Sequence, residues 1–397
     1  MKKTIKILAL GLLSAALFSC QDAALPVIDN MIYINSAANS KLGLVDMAEE
    51  GATNVNFTVR LAKASTEDVK VAIVVDPQIL VDYNAASQTS IKHVDAENIE
   101  VPAIAVIPAG SVSSDPITLS IAKFDPKGAQ YAVSFKVTSN GDIPVAQASS
   151  QYIVQLMKPL KQLVPKFNYR NAMQAAPMNE NWNLELMNYT LEWWVKMSSL
   201  NINNQAIINS GSGDRGCELY IRFGDLIYSS GWSYDNRFLQ IKTMGGQFDT
   251  GNPTKTNALE ANKWYHFAIT YDGTTGDSML YQNGTHLATL NTGAGRAMWI
   301  DRFQMCSSGS QYFPNQAEMC QVRLWKTTRT AGQISKNMRS EVDYTDPDLL
   351  MYLPMSEGPG TTVLSDVTGN GHNVAIGSLT SAGGSVDQAV AWTEYAF

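Results

Sequence analysis

The sequence predicts an all-β chain made of two β-sandwich domains. Short runs that alternate apolar and polar residues with period two recur along it, the pattern of half-buried strands. Pro, Gly, Asn and Ser separate these runs, as expected of antiparallel strands joined by turns. The 397 residues also exceed what one hydrophobic core ordinarily serves, since single cores stop growing near about 250–300 residues.

The first residues read as an export signal. Lys2, Lys3 and Lys6 precede the apolar stretch Ile7 to Phe18. That stretch falls short of the roughly 20 apolar residues a bilayer span needs, so it is a signal-peptide core. It ends in Leu17-Phe18-Ser19-Cys20, which resembles the bacterial lipoprotein box. In that family the cysteine carries lipid on its thiol and becomes the new N-terminus, so residues 1–19 are expected to be cleaved and Cys20 to be the lipidation site. The plainer alternative is a secretory signal that happens to contain a cysteine. Gln21, not Asp, stands in second place, which by resemblance to sorting rules favours the outer membrane; the leaflet faced stays open.

Removing residues 1–19 takes away three lysines and no acid, moving the formal charge from −7 to −10. Such a chain repels phosphate backbones, which argues against nucleic acid as a partner. No later stretch reaches transmembrane length, leaving the lipid as the membrane attachment. Cys217, Cys306 and Cys320 remain. In an oxidising compartment a Cys306–Cys320 disulfide is the favoured pairing, set against three small buried hydrophobes.

Residues 27–158 form the first predicted domain. Val55, Phe57, Val59 and Leu61 alternate with polar residues, and Val69, Val71, Ile73 and Val75 follow. Ile117, Leu119 and Ile121 and then Tyr131, Val133, Phe135 and Val137 repeat the pattern, implying strands with one packed and one solvated face. The order Asp82-Tyr83-Asn84, Ile107-Pro108-Ala109-Gly110-Ser111 and the Tyr131 strand resembles an Ig-like domain of unknown function. That domain recurs at the N-terminus of lipoproteins from glycan-foraging bacteria, and the resemblance implies a spacer. Residues 159–168 are expected to be a linker, because Pro159 and Pro165 do not suit a central strand.

Residues 169–397 carry a stronger resemblance. Tyr189-Thr190-Leu191-Glu192-Trp193-Trp194-Val195-Lys196, Asn262 to Gly273, Tyr281-Gln282-Asn283-Gly284, Val322-Arg323-Leu324-Trp325 with Arg329-Thr330, and Asp366 to His372 occur in sequence. They resemble the motifs of laminin-G-like, concanavalin A-like domains, in the family's order, which implies a jelly-roll sandwich. Gln321 stands where the family usually has Glu. Independently, Asn283-Gly284 is the preferred pair of a type I′ hairpin turn. Thr330 with Gln333 forms a capping box that predicts a short helix.

Catalytic patterns are weak. Gly211-Ser212-Gly213-Asp214-Arg215-Gly216 spells a G-x-G-x-x-G, but a strand pattern follows where a dinucleotide site needs a helix. Glu341-Val342-Asp343-Tyr344-Thr345-Asp346 imitates the carboxylate run of family-16 glycoside hydrolases, yet it leads into Pro347 and reads as a solvated connector. His93, His266, His286 and His372 lack metal-ligand spacing, and Cys217 shows no activating neighbour in sequence. Glu192 and Arg323 read as structural ion-pair residues.

The segment Asp225 to Arg237 is the candidate site. Tyr228, Trp232 and Tyr234 offer flat faces to sugar C–H surfaces, and Asp235 and Asn236 offer partners to hydroxyls. The same aromatics would equally serve as packing beneath the loop. Tyr312 and Phe313 form a weaker second patch. Asp214, Asp225 and Asp272 lie where relatives hold calcium, but six oxygens cannot be assembled from them, so calcium is allowed and unassigned. The expected function is glycan binding without catalysis. The rivals are a docking subunit of a glycan-uptake or glycosidase complex, and a glycoside hydrolase.

Overall fold

A computed structural model describes residues 29–397 except 88, 140, 172, 176–181, 212, 228–233, 252–256, 381–382 and 386–388. The signal segment and Cys20 lie outside the described residues. No helix among the described residues is long and apolar enough to cross a membrane.

The N-terminal domain is a sandwich. One sheet runs Leu42–Asp46, Gln151–Met157, Tyr131–Thr138, Val69–Val75, Ile104–Ile107, with Lys92–His93 added beside Tyr131–Thr138. Opposite it lie Thr53–Phe57, Ile117–Ile121 and Ile99–Glu100, and the pair Ile32–Ile34 with Val59–Leu61. Phe57, Val71, Ile73, Leu119, Val133, Phe135 and Val137 fill the space between, as the alternation predicts. Two details differ from that prediction. The run from Val55 to Leu61 is not one strand: it breaks at Thr58, and its halves join different ladders. Strand Tyr131–Thr138 is buried on both faces at Ala132 and Ser134, because the helix Gln78–Ser87 lays Ile79 and Leu80 over its outer side.

The C-terminal domain stacks two antiparallel eight-stranded sheets. The first orders Thr285–Asn291, Asp277–Gln282, Tyr265–Asp272, Asn188–Met197 and Ala317–Trp325. Leu349–Leu353 pairs one end of Ala317–Trp325, and Lys161–Phe167 with Ala391–Ala396 extends the other. The second sheet orders Gly246–Asp249, Leu239–Thr243, Leu219–Phe223, Gln205–Ser210, Phe303–Met305, Met173–Ala175, Val374–Ile376 and Val363–Leu364. Along Asn188–Met197, Tyr189, Leu191, Trp193, Val195 and Met197 enter the core between the sheets. Each such side chain contributes about 1.5–3 kcal/mol by leaving water. The alternate residues Thr190, Glu192, Trp194 and Lys196 therefore take the opposite face. Phe313 is also a core residue, which removes it from the second aromatic patch.

The expected linker is corrected. Lys161–Phe167 is a strand of the C-terminal domain, paired along its length with Ala391–Ala396. On its other side only Lys166 and Phe167 pair with Ala317–Trp325, so Pro165 sits at an edge, where a missing N–H costs no ladder bond. The favoured disulfide is corrected too. Cys217, Cys306 and Cys320 are free buried thiols, and Cys306 Sγ lies 3.7 Å from Met319 Sδ instead. Cys306 follows Phe303–Met305 in one sheet while Cys320 sits in Ala317–Trp325 of the other, each inside the core.

Local signals hold. Asn283 (φ 50°) and Gly284 (φ 78°) make the two-residue turn between Asp277–Gln282 and Thr285–Asn291. Thr330 caps the helix Ala331–Asn337 with both capping-box bonds: Oγ1 accepts from Gln333 N at 3.2 Å, and Gln333 Oε1 accepts from Thr330 N at 2.9 Å.

The two domains touch through the segment after that helix. A Cβ at Gly128 would overlap the Val342 carbonyl, so only glycine admits this approach. Tyr344 N donates to Lys127 O at 3.3 Å. Lys92 pairs with Asp343 at 2.5 Å and Lys158 with Glu341 at 3.2 Å.

Candidate functional site

The segment singled out for glycan contact leaves the second sheet as a small hairpin, Leu226 opposite Asp235 and Ile227 opposite Tyr234. Tyr228 and Trp232 lie outside the described residues, and Tyr234 is placed only as a strand position. Asp235 and Asn236 are described. Asp235 accepts from Arg237 in bidentate fashion, Nε to Oδ1 at 3.0 Å and Nη2 to Oδ2 at 2.9 Å. Asn236 Oδ1 is shut from solvent without a hydrogen-bond partner, and faces Gly224, where a Cβ would crowd it.

Beneath the hairpin is a polar cluster that sequence reasoning missed. Arg222, buried, donates to Gln240 Oε1 from Nε (2.9 Å) and Nη2 (2.7 Å) and to Asn204 Oδ1 from Nη1 (2.8 Å). It also pairs with Asp225, which accepts from Asn203 Nδ2 at 3.2 Å. Asp225 (φ 66°) and Asn204 (φ 60°) hold left-handed backbone, which aims their side chains at Arg222. The polar–apolar alternation of Leu219–Phe223 was visible, but the partners come from three other strands and loops.

The remaining candidates scatter. Gly213–Arg215 is a single 3-10 turn leading into Leu219–Phe223, so the glycine motif has no phosphate-binding helix; Arg215 stacks on Trp299 at 3.7 Å. Cys217 is buried, its Sγ 3.4 Å from the Ala297 carbonyl. His93 is structural: Nδ1 donates to Val94 O (2.7 Å) and Nε2 accepts from Ser134 N (3.1 Å). His372 lies 2.9 Å from Leu350 O, and exposed His286 2.9 Å from Thr289 Oγ1. Asp272 accepts from Thr274 N at 2.8 Å. Among the described residues, no three His, Cys, Asp or Glu side chains converge as a metal site.

The strongest electrostatic feature lies on the outer face of the first sheet. Glu192, fully buried, accepts from Trp325 Nε1 at 2.7 Å, with Arg329 Nε and His266 Nε2 each 3.6 Å away. Desolvation alone would raise its pKa, but His266, Arg323 and Arg329 hold it at about 2. Burial drives His266 below its ordinary value despite the carboxylate beside it. Arg323 donates to Asn337 O (3.0 Å), Ser340 O (2.6 Å) and Gln321 Oε1 (2.6 Å), and Tyr352 OH donates to the same Gln321 oxygen at 2.5 Å. These bonds tie the face of the sheet to the segment that reaches the N-terminal domain. Glu192 and Arg323 are held by fixed partners in a structural network, while Arg329 Nε has no hydrogen bond.

Two facing antiparallel sheets with a short covering helix and a rim of loops define a lectin-type sandwich. Residues 171–335 match the family model of the concanavalin A-like lectin/glucanases superfamily, and residues 28–144 match that of an N-terminal domain family. The C-terminal domain is thus a concanavalin A-like, laminin-G-like domain. Among solved structures, the chain is similar to a candidate carbohydrate-binding protein of Bacteroides ovatus, with 22% identity, 91% of this chain and 99% of that chain covered, and a TM-score of 0.62. More remote is a pentraxin of Limulus polyphemus (14% identity, 43% of this chain and 82% of that chain, TM-score 0.28). A domain of an extracellular arabinanase from Geobacillus stearothermophilus, in complex with arabinotriose, has 17% identity, 38% and 67% coverage and a TM-score of 0.27. No curated protein matches the sequence.

Proposed function

We propose that this protein is a non-enzymatic, lipid-anchored outer-membrane component that binds glycan through its C-terminal domain. Cys20 carries the lipid and the N-terminal sandwich acts as a spacer. One observation carries the reading: the hairpin Leu226–Ile227 with Tyr234–Asp235, on a concanavalin A-like sandwich, brackets the segment that holds Tyr228 and Trp232. Loops projecting from a rigid sandwich are common binding sites. The Bacteroides ovatus neighbour, itself a candidate carbohydrate binder, supports the same class of ligand. The hydrolase reading loses its carboxylate run, since Glu341 and Asp343 pair with lysines of the other domain.

The test is a glycan array probed with Gln21–Phe397, with and without EDTA, beside a Trp232→Ala/Tyr234→Ala double variant. Binding that the folded double variant loses places the site in the hairpin, and EDTA sensitivity adds a metal. Silence across a broad array removes the reading. A second reading, a docking subunit of a glycan-uptake or glycosidase complex, draws on Ile104 (58% exposed), Val106 (41%) and Val74 (40%), which lie on neighbouring strands at the sheet edge. Co-purification of partners from native membranes, with no glycan retained, would favour it.

A further inference from the structure

The two domains enclose a polar cleft of about 550 Å³, within the range of ligand pockets. Ser90 and Gln130 line it from the N-terminal domain, Asn337 and Lys336 from the C-terminal one. Trp325 and Arg329, buried at 2% and 8% exposure, also line it. Arg329 is held there by its chain position: its N donates to Thr190 Oγ1 at 2.9 Å, and its guanidinium stacks on Trp325 at 3.9 Å.

That guanidinium is poorly satisfied. Glu192, its nearest carboxylate, is 3.6 Å from Nε, and Nε is shut from solvent without a hydrogen bond. None of its other N–H groups bonds to a described residue. Buried donors are normally paired, and a charged one the more so. The local charge is unbalanced as well. Arg323 is bonded to neutral oxygens only, so the single carboxylate of Glu192 faces two guanidiniums. Of the wall carboxylates only Asp346 acts on Arg329, and it does so at a distance. Asp343 is bound to Lys92 and Glu341 to Lys158. Asp346 accepts from Asp348 N at 2.9 Å and acts on Arg329 through its charge, with no ion pair between them among the described residues.

We propose that this interdomain cleft binds a sugar bearing one carboxylate, with the carboxylate received by Arg329. A planar guanidinium matches a carboxylate in bidentate geometry, and stacking on Trp325 fixes its plane. The side chains of Ser90, Gln130 and Asn337 suit the hydroxyls of the ring. Lys92, Arg329 and Lys336 balance Glu341, Asp343 and Asp346 around the cleft, and Asp343 is already bound to Lys92, so a ligand with one acidic group suits it better than a multiply sulfated chain. The inference shares the glycan class with the proposed function and does not use the aromatic hairpin.

Calorimetric titration of the two-domain chain with D-glucuronate and D-galacturonate, against D-glucose and D-galactose, tests it. At least one uronate should bind saturably, and its neutral parent at least tenfold more weakly. Arg329→Gln should weaken uronate binding at least tenfold and Asp346→Asn should strengthen it. Because Arg329→Gln touches a buried network, Ser90→Trp is the second variant: it plugs the cleft from an exposed position and should also abolish binding. The titrations are run in the Trp232→Ala/Tyr234→Ala background, so that sugar bound at the hairpin does not enter the isotherm and the two sites are read separately. Equal binding of acidic and neutral sugars, uronate binding that survives both Arg329→Gln and Ser90→Trp, or no uronate binding by the folded wild type would overturn the proposal.

Discussion

Lys92 Nζ and Asp343 Oδ2 meet at 2.5 Å across the boundary between the two sandwiches. The pair is part exposed, with side-chain accessibilities of 44% and 24%, so by itself it contributes about 0.2–1 kcal/mol. The tighter constraint is next to it, where Gly128 (φ 73°) lies against the Val342 carbonyl. Ion pairs orient this junction and backbone contact fixes it.

Gly128→Val should therefore loosen the junction far more than Lys92→Ala. The added side chain meets both a forbidden φ and the neighbouring backbone, and each effect costs on the order of 1–3 kcal/mol. Small-angle scattering should show a larger radius of gyration for Gly128→Val and an unchanged one for Lys92→Ala. Equal radii for all three proteins would show that the domains are held by other contacts.

Glu192→Gln should be one of the costliest single substitutions in the C-terminal domain. It leaves Arg323 and Arg329 facing no carboxylate in a buried site, and breaking such a cluster costs about 3–5 kcal/mol. Denaturant melts should show a lowered midpoint with an unchanged slope. A midpoint like that of wild type would mean that the network is not a stabilising element.

Acid should destabilise the protein in two stages. His266 has its pKa lowered below 6.5 in the fold, chiefly by burial, so the unfolded chain takes up that proton first as the pH drops. Glu192 sits at about 2 in the fold against 4.5 in its ordinary state, so the stability it brings is whole above about pH 4.5 and is lost between there and about pH 2. Denaturation midpoints should decline below about pH 6.5 and again below about 4.5. The second decline should be smaller in Glu192→Gln, the rest coming from Asp76, Asp343 and Asp366, which hydrogen bonds and neighbouring charges also hold below the usual carboxylate range.

The described cysteines should behave as buried thiols. Burial raises the pKa of Cys306 and of Cys320, which removes the reactive thiolate. All three should react with Ellman's reagent in guanidinium and scarcely at all in the native state, with no change of mass on reduction. A two-dalton mass gain on reduction would restore the disulfide.

Legibility divides along a physical line. The Asn283-Gly284 turn, the Thr330–Gln333 capping box and the core face of Asn188–Met197 were readable in the chain, because φ preference, local hydrogen bonding and a two-residue period act between near neighbours. Arg329 was readable only as part of a motif after a strand, and Glu192 and Arg323 as strand residues suited to an ion pair. What they do together depends on Asn188–Met197 and Ala317–Trp325 lying side by side with Glu192 opposite Arg323, a register that no local run contains. Pro165 failed as a linker signal for the same reason, since proline is barred from a strand only where a neighbour needs its N–H, and here no neighbour does. The acidic run Glu341 to Asp346 shows the limit most plainly. In sequence it is a set of carboxylates of no assigned partner, and only the docking of two independently patterned sandwiches turns it into the wall of a cleft and the seam of the molecule.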